Sequence, residues 1–208
     1  MSDEETNDDL GRWVRIVNKA HGYAGVFNSE NSDDKQIVEI STIEEWRKSV
    51  LAEFGIEMAT PRPNPQDSPD FFVSIADREL KVELVQLVDQ DLKQRAAKGE
   101  TPFAGQLFQD AQWSKDKFLE KLKEVIDNKG TKYSARGLEV DVLLIHTAEP
   151  WLTSSETRQW LTAEVIEAHP SIRSAFLLFE YEPGIAEHWP IIVVYGDPFQ
   201  GISGDVSR

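Results

Sequence analysis

Two acidic residues set the chemistry this chain could carry. Asp70 follows Pro69 at the head of one apolar run, Phe71 to Ile75, and Glu83 lies inside the next, Leu80 to Val88. A tight turn at Ala76-Asp77-Arg78 would join the two runs as a hairpin and bring both carboxylates side by side. Two carboxylates plus a strand carbonyl, here that of Leu84, are what a hard divalent cation takes. Mg²⁺ accepts octahedral oxygen ligands and keeps several waters. Such an ion can polarise a phosphodiester and generate hydroxide near neutral pH. Each acid also has a plain structural reading. Asp70 after a proline caps a turn well. Glu83 is flanked by Val82, Leu84, Val85 and Leu87, so burial is expected, and a buried carboxylate needs a partner. Arg78 or a neighbour of Lys81 could supply one as an ion pair.

The elements that must position these residues follow from periodicity. Ser41-Thr42-Ile43-Glu44 has the form of a capping box. Ile43, Trp46, Val50, Leu51 and Phe54 follow at helical spacing and Gly55 suits a stop, so a helix is predicted over about 42–54. TPRPNPQDSPD, 60–70, carries four prolines and reads as an extended connection. In the second strand Leu80, Val82 and Leu84 share one face, with Lys81, Glu83, Val85 and Leu87 on the other. A short helix is expected near 90–97, then a loop. Ser114 can cap the next helix, whose stripe is Phe118, Leu119, Leu122, Val125 and Ile126. Lys115, Lys117, Lys121 and Lys123 lie mostly off that stripe, and Gly130 weakens its far end. Val140 to Ile145 reads as a buried strand. A helix from Ser154/Ser155 to His169-Pro170 and strands over 175–179 and 191–195 complete the pattern. The fold class is α/β, a mixed central sheet of about five strands flanked by helices on both faces.

Domain organisation follows the same signals. Residues 1–9 form an acidic tail expected to be disordered. Residues 10–40 are an N-terminal extension, in which Leu10 to Phe27 is apolar enough to pack on something. Residues 41–196 form one α/β domain, and 197–208 a tail.

On Pro69-Asp70, Glu83 and the order of elements around them, the chain resembles the PD-(D/E)XK nuclease superfamily, the restriction-endonuclease-like fold. Its core is helix, three strands, helix, strand, with a Pro-Asp on one strand and an acidic-x-Lys on the next. The matching stretches here are a helix, FGIEMATP, SPDFFVSI and LKVELVQLVD, within residues 41–147. The likeness is to a divergent bacterial branch. It implies a Mg²⁺-dependent phosphodiester hydrolase with Asp70, Glu83 and the Leu84 carbonyl as metal ligands. The motif lysine would stand two residues after the acid, where Val85 stands instead. Some members supply it from the following helix, for which Lys132 or Lys129 in IDNKGTKY is the match, with Tyr133 beside them. Both lysines could equally be solvated helix-end residues. Gln86 faces away from Glu83 in a regular strand, and Glu53 matches an occasional extra acidic ligand only loosely.

Composition limits the partners. Among 208 residues there are 37 Asp+Glu and 22 Lys+Arg, a net charge of −15, and no cysteine. Disulfides and thiolate metal sites are therefore absent. Residues 1–69 carry 14 acids against 7 bases and residues 137–208 carry 11 against 3, whereas residues 70–136 balance at 12 each. Acidic outer thirds repel phosphate, so nucleic acid is expected only over residues 70–136, while a basic protein could use the outer surface. That second possibility fits a catalytically inactive module on the same fold. His21, His146, His169 and His188 show no ligand spacing, and no G-x-S-x-G, Walker-type or G-x-G-x-x-G motif occurs. Trp113 and Trp151 fall in loops and are the two tryptophans with a chance of contacting a base or partner. No run approaches 18 apolar residues, so no membrane span is expected, and a cytoplasmic location fits best.

Overall fold

A computed structural model of the chain describes residues 32–66, 68–98, 112–149, 151–180, 182, 184–185 and 187–200. The expectations for the tail 1–9, for Leu10 to Phe27, for most of the loop after residue 97 and for residues 201–208 fall outside the described residues.

The first helix, α1 (Ser32–Phe54), starts well before the expected capping box. Its stripe is Val38, Ile43, Trp46 and Val50, all buried. Ser41 and Thr42 are therefore interior. The Thr42 hydroxyl donates to the Val38 carbonyl at 2.8 Å, as mid-helix threonines do. Glu44 accepts from Arg47 instead of turning back to an N-cap. The boundary expected between an extension and a domain at residue 40 thus falls inside one continuous helix.

Beyond Gly55 the chain makes β1 (Arg62–Pro63), β2 (Phe71–Ile75) and β3 (Arg78–Gln86) as an antiparallel meander. β1 lies in the proline-rich connection and makes the sheet six-stranded, one strand more than the alternation showed. Its place at the sheet edge is what tolerates Pro63 in a strand. β2 and β3 pair from Phe71↔Val82 to Ile75↔Arg78, so Ala76-Asp77 is the turn. The short helix α2 (Gln90–Ala97) and the long helix α3 (Lys115–Ala135) follow, the latter capped by the Ser114 side chain. β4 (Val140–Thr147) then lies parallel to β3. Helix α4 (Ser154–Thr162) carries the chain to β5 (Ile172–Phe179), parallel to β4, and β6 (Ile191–Tyr195) closes the far edge antiparallel. The mixed sheet runs in the order β1-β2-β3-β4-β5-β6.

The sheet separates two apolar layers. On one face α1 packs through Ile43, Trp46 and Val50 on Val73, Val82, Leu144 and Phe176. On the other α3 packs through Phe118, Leu122 and Ile126 on Leu143, Ile145 and Leu177, with Trp160 and Leu161 of α4 beside it. Parallel strands need such crossovers, and both helices cover the same face.

Two sequence expectations about helix ends are corrected. Gly130 does not weaken α3, which runs on to Ala135. A Cβ at Gly130 would stand 2.2 Å from the His169 ring, so glycine is there for close approach. α4 stops at Thr162 rather than at His169-Pro170. Val165 lies past the helix and is 88% exposed, and residues 163–171 bring His169 back onto α3.

Candidate functional site

Strand register brings Asp70 and Glu83 together. Phe71 and Val82 are partners in the β2–β3 ladder, so Asp70 and Glu83 stand opposite each other one step beyond it. There the Asp70 side chain takes over from the main chain. Its Oδ2 accepts the Leu84 amide at 2.7 Å. That amide lies on the β2 edge of β3, since the neighbouring odd position Leu87 donates across to the His146 carbonyl of β4. In a strand the carbonyl of a residue lies on the same edge as its amide. The Leu84 carbonyl therefore faces the side where Asp70 ends the ladder.

Glu83 is 5% exposed and points to the α3 face with Leu87, opposite to Val82. Two residues of α3 reach it. The Lys129 ammonium donates to Oε1 and the Tyr133 hydroxyl donates to Oε2. Positions 129 and 133 are one helical turn apart, so both side chains meet the same carboxylate. The Tyr133 hydroxyl also lies 3.1 Å from the Ser68 hydroxyl, which precedes Pro69-Asp70. Burial, and after it the bond to Glu83, holds the Tyr133 proton far above the ordinary tyrosine range.

Asp70 shows the electrostatic tension of the pair. Burial first and the Glu83 charge second raise its pKa from 3.8 to about 6, against the Leu84 amide and the Lys129 charge, which pull it down. Glu39, on α1, adds a further small push upward. That contribution was not legible without the fold, because the sequence signal placed residue 39 outside the helix.

Of the sequence-derived candidates, Lys129 contacts Glu83, Asp70 stands opposite Glu83 in the strand register and feels the charge of both, and Leu84 gives its amide to Asp70. Lys132 does not reach Glu83. It is exposed and lines a groove of about 220 Å³ with Val85, Gln86, Lys121, Asn128 and Lys129. Lys129 is therefore the lysine that stands at Glu83. The signal that separates them is helical phase: Lys129 and Tyr133 flank the buried stripe Leu122, Ile126 and Gly130, whereas Lys132 projects off it. Arg78, at the hairpin turn, takes no part in neutralising Glu83 and instead approaches the Gln200 carbonyl. Glu53 pairs with His188 at 3.1 Å, away from the site. The Gln86 carboxamide accepts from Lys93 at 3.0 Å. Trp113 is buried and donates to Glu149 at 3.0 Å, which makes it a core residue rather than an exposed platform.

Among the described residues, no group of three or more histidines, aspartates or glutamates stands close enough to hold a metal ion. A cation here would have two carboxylates and the Leu84 carbonyl as its protein ligands, a set that fits Mg²⁺, which commonly takes one or two carboxylates and keeps its waters. The larger cavity, about 530 Å³ at the carboxyl ends of β4 and β5, is a different place. Two of the three carboxylates lining it serve internal donors: Glu149 accepts the Asp89 amide and Trp113, and Glu182 accepts the Ser154 amide and hydroxyl at the start of α4. The third, Glu180, lies 3.9 Å from the His146 ring, and burial raises its pKa from 4.5 to about 7. No described helix is long and apolar enough to cross a membrane.

No family model matches the chain, and no curated protein or solved structure matches it.

Proposed function

We propose that the chain is a metal-dependent phosphodiester hydrolase, a nuclease-like domain of the PD-(D/E)XK type that acts on nucleic acid. The observation that carries this reading is the meeting of Asp70, Glu83 and Lys129 across two strands and the crossover helix. The order α1-β1-β2-β3-α3-β4 supports it, since it is the helix, three strands, helix, strand series of the resemblance, with α2 inserted. Asp70, Glu83 and the Leu84 carbonyl would hold Mg²⁺. When bound, that ion polarises a phosphoryl oxygen and acidifies a water. Lys129 stabilises the charge that builds on the phosphate, the duty Val85 cannot perform. Lys132 and Lys121, on the neighbouring groove, attract the strand within the one third of the chain that is not net acidic. The test is hydrolysis of single- and double-stranded DNA and RNA with Mg²⁺ or Mn²⁺, by wild type and Asp70→Ala. Cleavage by wild type alone supports the reading. Equal cleavage by both, or none by either on all four substrates, refutes it.

A second reading is a non-catalytic module that binds a basic protein through its acidic surface. Val85 favours it, and so does the complete satisfaction of Glu83 by Lys129 and Tyr133, which is also what a structural ion pair looks like. Calorimetry separates the two. Mg²⁺ binding lost in Glu83→Gln supports the hydrolase, whereas no heat supports the module.

A further inference from the structure

Both Glu83 oxygens are held by donors from one helix, while a second acceptor for one of those donors waits 3.1 Å away. We propose that Lys129 and Tyr133 form a latch on Glu83, closed as it stands here, which opens when Glu83 and Asp70 take a divalent cation. The inference rests on the metal-binding reading above and adds what controls that site.

The argument is one of hydrogen-bond capacity. A carboxylate has about four lone-pair sites, and here the lysine and the tyrosine take one on each oxygen. A divalent cation at Glu83 competes with both donors for the same charge and repels the Lys129 ammonium, so releasing a donor makes Glu83 the stronger ligand. A released buried hydroxyl is costly unless it finds another acceptor. Tyr133 has one at hand. With its one hydrogen on Glu83, Tyr133 accepts from Ser68; when the half-buried Ser68 hydroxyl turns its hydrogen to solvent, Tyr133 can turn its O–H from Glu83 to the Ser68 oxygen and keep that contact. Lys129 needs no such host. Its side chain is 24% exposed and borders the groove lined by Val85, Asn128 and Lys132, where water or a phosphate oxygen can receive it. The closed latch keeps the amine on Glu83. The open latch frees it for the phosphodiester, so the same event completes the ligand set and supplies the charge. No covalent step is involved, and Tyr133 acts through Glu83 as a positioning residue.

The experiment is Mn²⁺ binding, read by loss of the free-ion electron paramagnetic resonance signal, on wild type, Tyr133→Phe, Ser68→Ala and the double variant. Tyr133→Phe removes one lock and should bind Mn²⁺ at least about five-fold more tightly, the scale of one hydrogen bond. Ser68→Ala removes the waiting acceptor and should weaken binding in the wild-type background. The same substitution should change nothing when residue 133 is phenylalanine, because no hydroxyl then needs a host. Far-ultraviolet circular dichroism melts establish that each variant is folded. Equal binding by wild type and Tyr133→Phe, or a Ser68→Ala effect that persists beside Tyr133→Phe, overturns the latch and leaves the metal site standing. Absence of binding in all four proteins overturns both.

Discussion

Asp70→Asn should make the protein more stable at pH 7.5 and leave its stability unchanged at pH 3. In the folded chain, burial and the nearby Glu83 charge raise the Asp70 pKa from 3.8 to about 6. The sign follows from linkage. A carboxyl whose folded pKa lies above its unfolded value holds its proton longer when folded. Its contribution to stability is greatest below the unfolded value and is lost as pH rises through about 6. A shift of about two units corresponds to about 3 kcal/mol at 1.36 kcal/mol per unit. Asparagine retains an oxygen for the Leu84 amide, so the substitution removes the ionised form and keeps the hydrogen bond. A gain of about 1–3 kcal/mol at pH 7.5 follows, or about 2–12 °C in Tm for a chain of this length. Urea melts at the two pH values measure it. A second arm uses linkage to a ligand: Mn²⁺ should raise the wild-type Tm and leave that of Asp70→Asn unmoved. A gain of the same size at both pH values, or none at pH 7.5, would show that the Asp70 carboxylate is not under this strain.

Two further substitutions probe the packing around the pair. Lys129→Met leaves the buried Glu83 carboxylate with Tyr133 alone and should cost about 2–3 kcal/mol in urea melts, below the usual cost of breaking a fully buried pair because water reaches the lysine. Adding Glu83→Leu should recover most of that loss, since the remaining charge goes with it. Gly130→Ala should destabilise, although alanine in a helix interior normally gains about 1 kcal/mol over glycine. The new methyl would collide with the His169 ring, so thermal melts of Gly130→Ala should fall below wild type and those of Gly130→Ala with His169→Ala should rise again.

The features legible in the sequence are the local ones. The hairpin from Phe71 to Gln86, the Ser114 cap and the 90–97 helix follow from alternation, capping and short-range spacing, and the structure has them at those places. The errors arose where a local signal was true but not decisive. Ser41-Thr42-Ile43-Glu44 carries the letters of a capping box, yet the stripe reaches back to Val38, and burial of that stripe prolonged the helix through it. Gly130 carries the letter of a helix end, yet its cause is a ring from a segment about forty residues later. The proline-rich stretch hides β1 because proline has no alternation to read.

The two acids and the amine divide along the same line. Asp70 and Glu83 meet through a two-residue turn, so chain-local geometry suffices to pair them. Lys129 arrives from the crossover helix, and no spacing along the chain fixes its distance to Glu83. That distance is set by how α3 lies on the sheet, through Phe118, Leu122 and Ile126 against Leu143 and Ile145, and by the depth to which His169 lets Gly130 approach. With valine at residue 85, the strand carries no amine of its own two residues after Glu83, and the charge beside Glu83 depends on the seating of a helix. A strand-borne lysine would be fixed by the strand's own register and would stay put whatever the helix did. An amine borne by a helix one layer away can be drawn onto Glu83 or released from it by a small shift of side chains, which is the property that makes the carboxylate pair controllable.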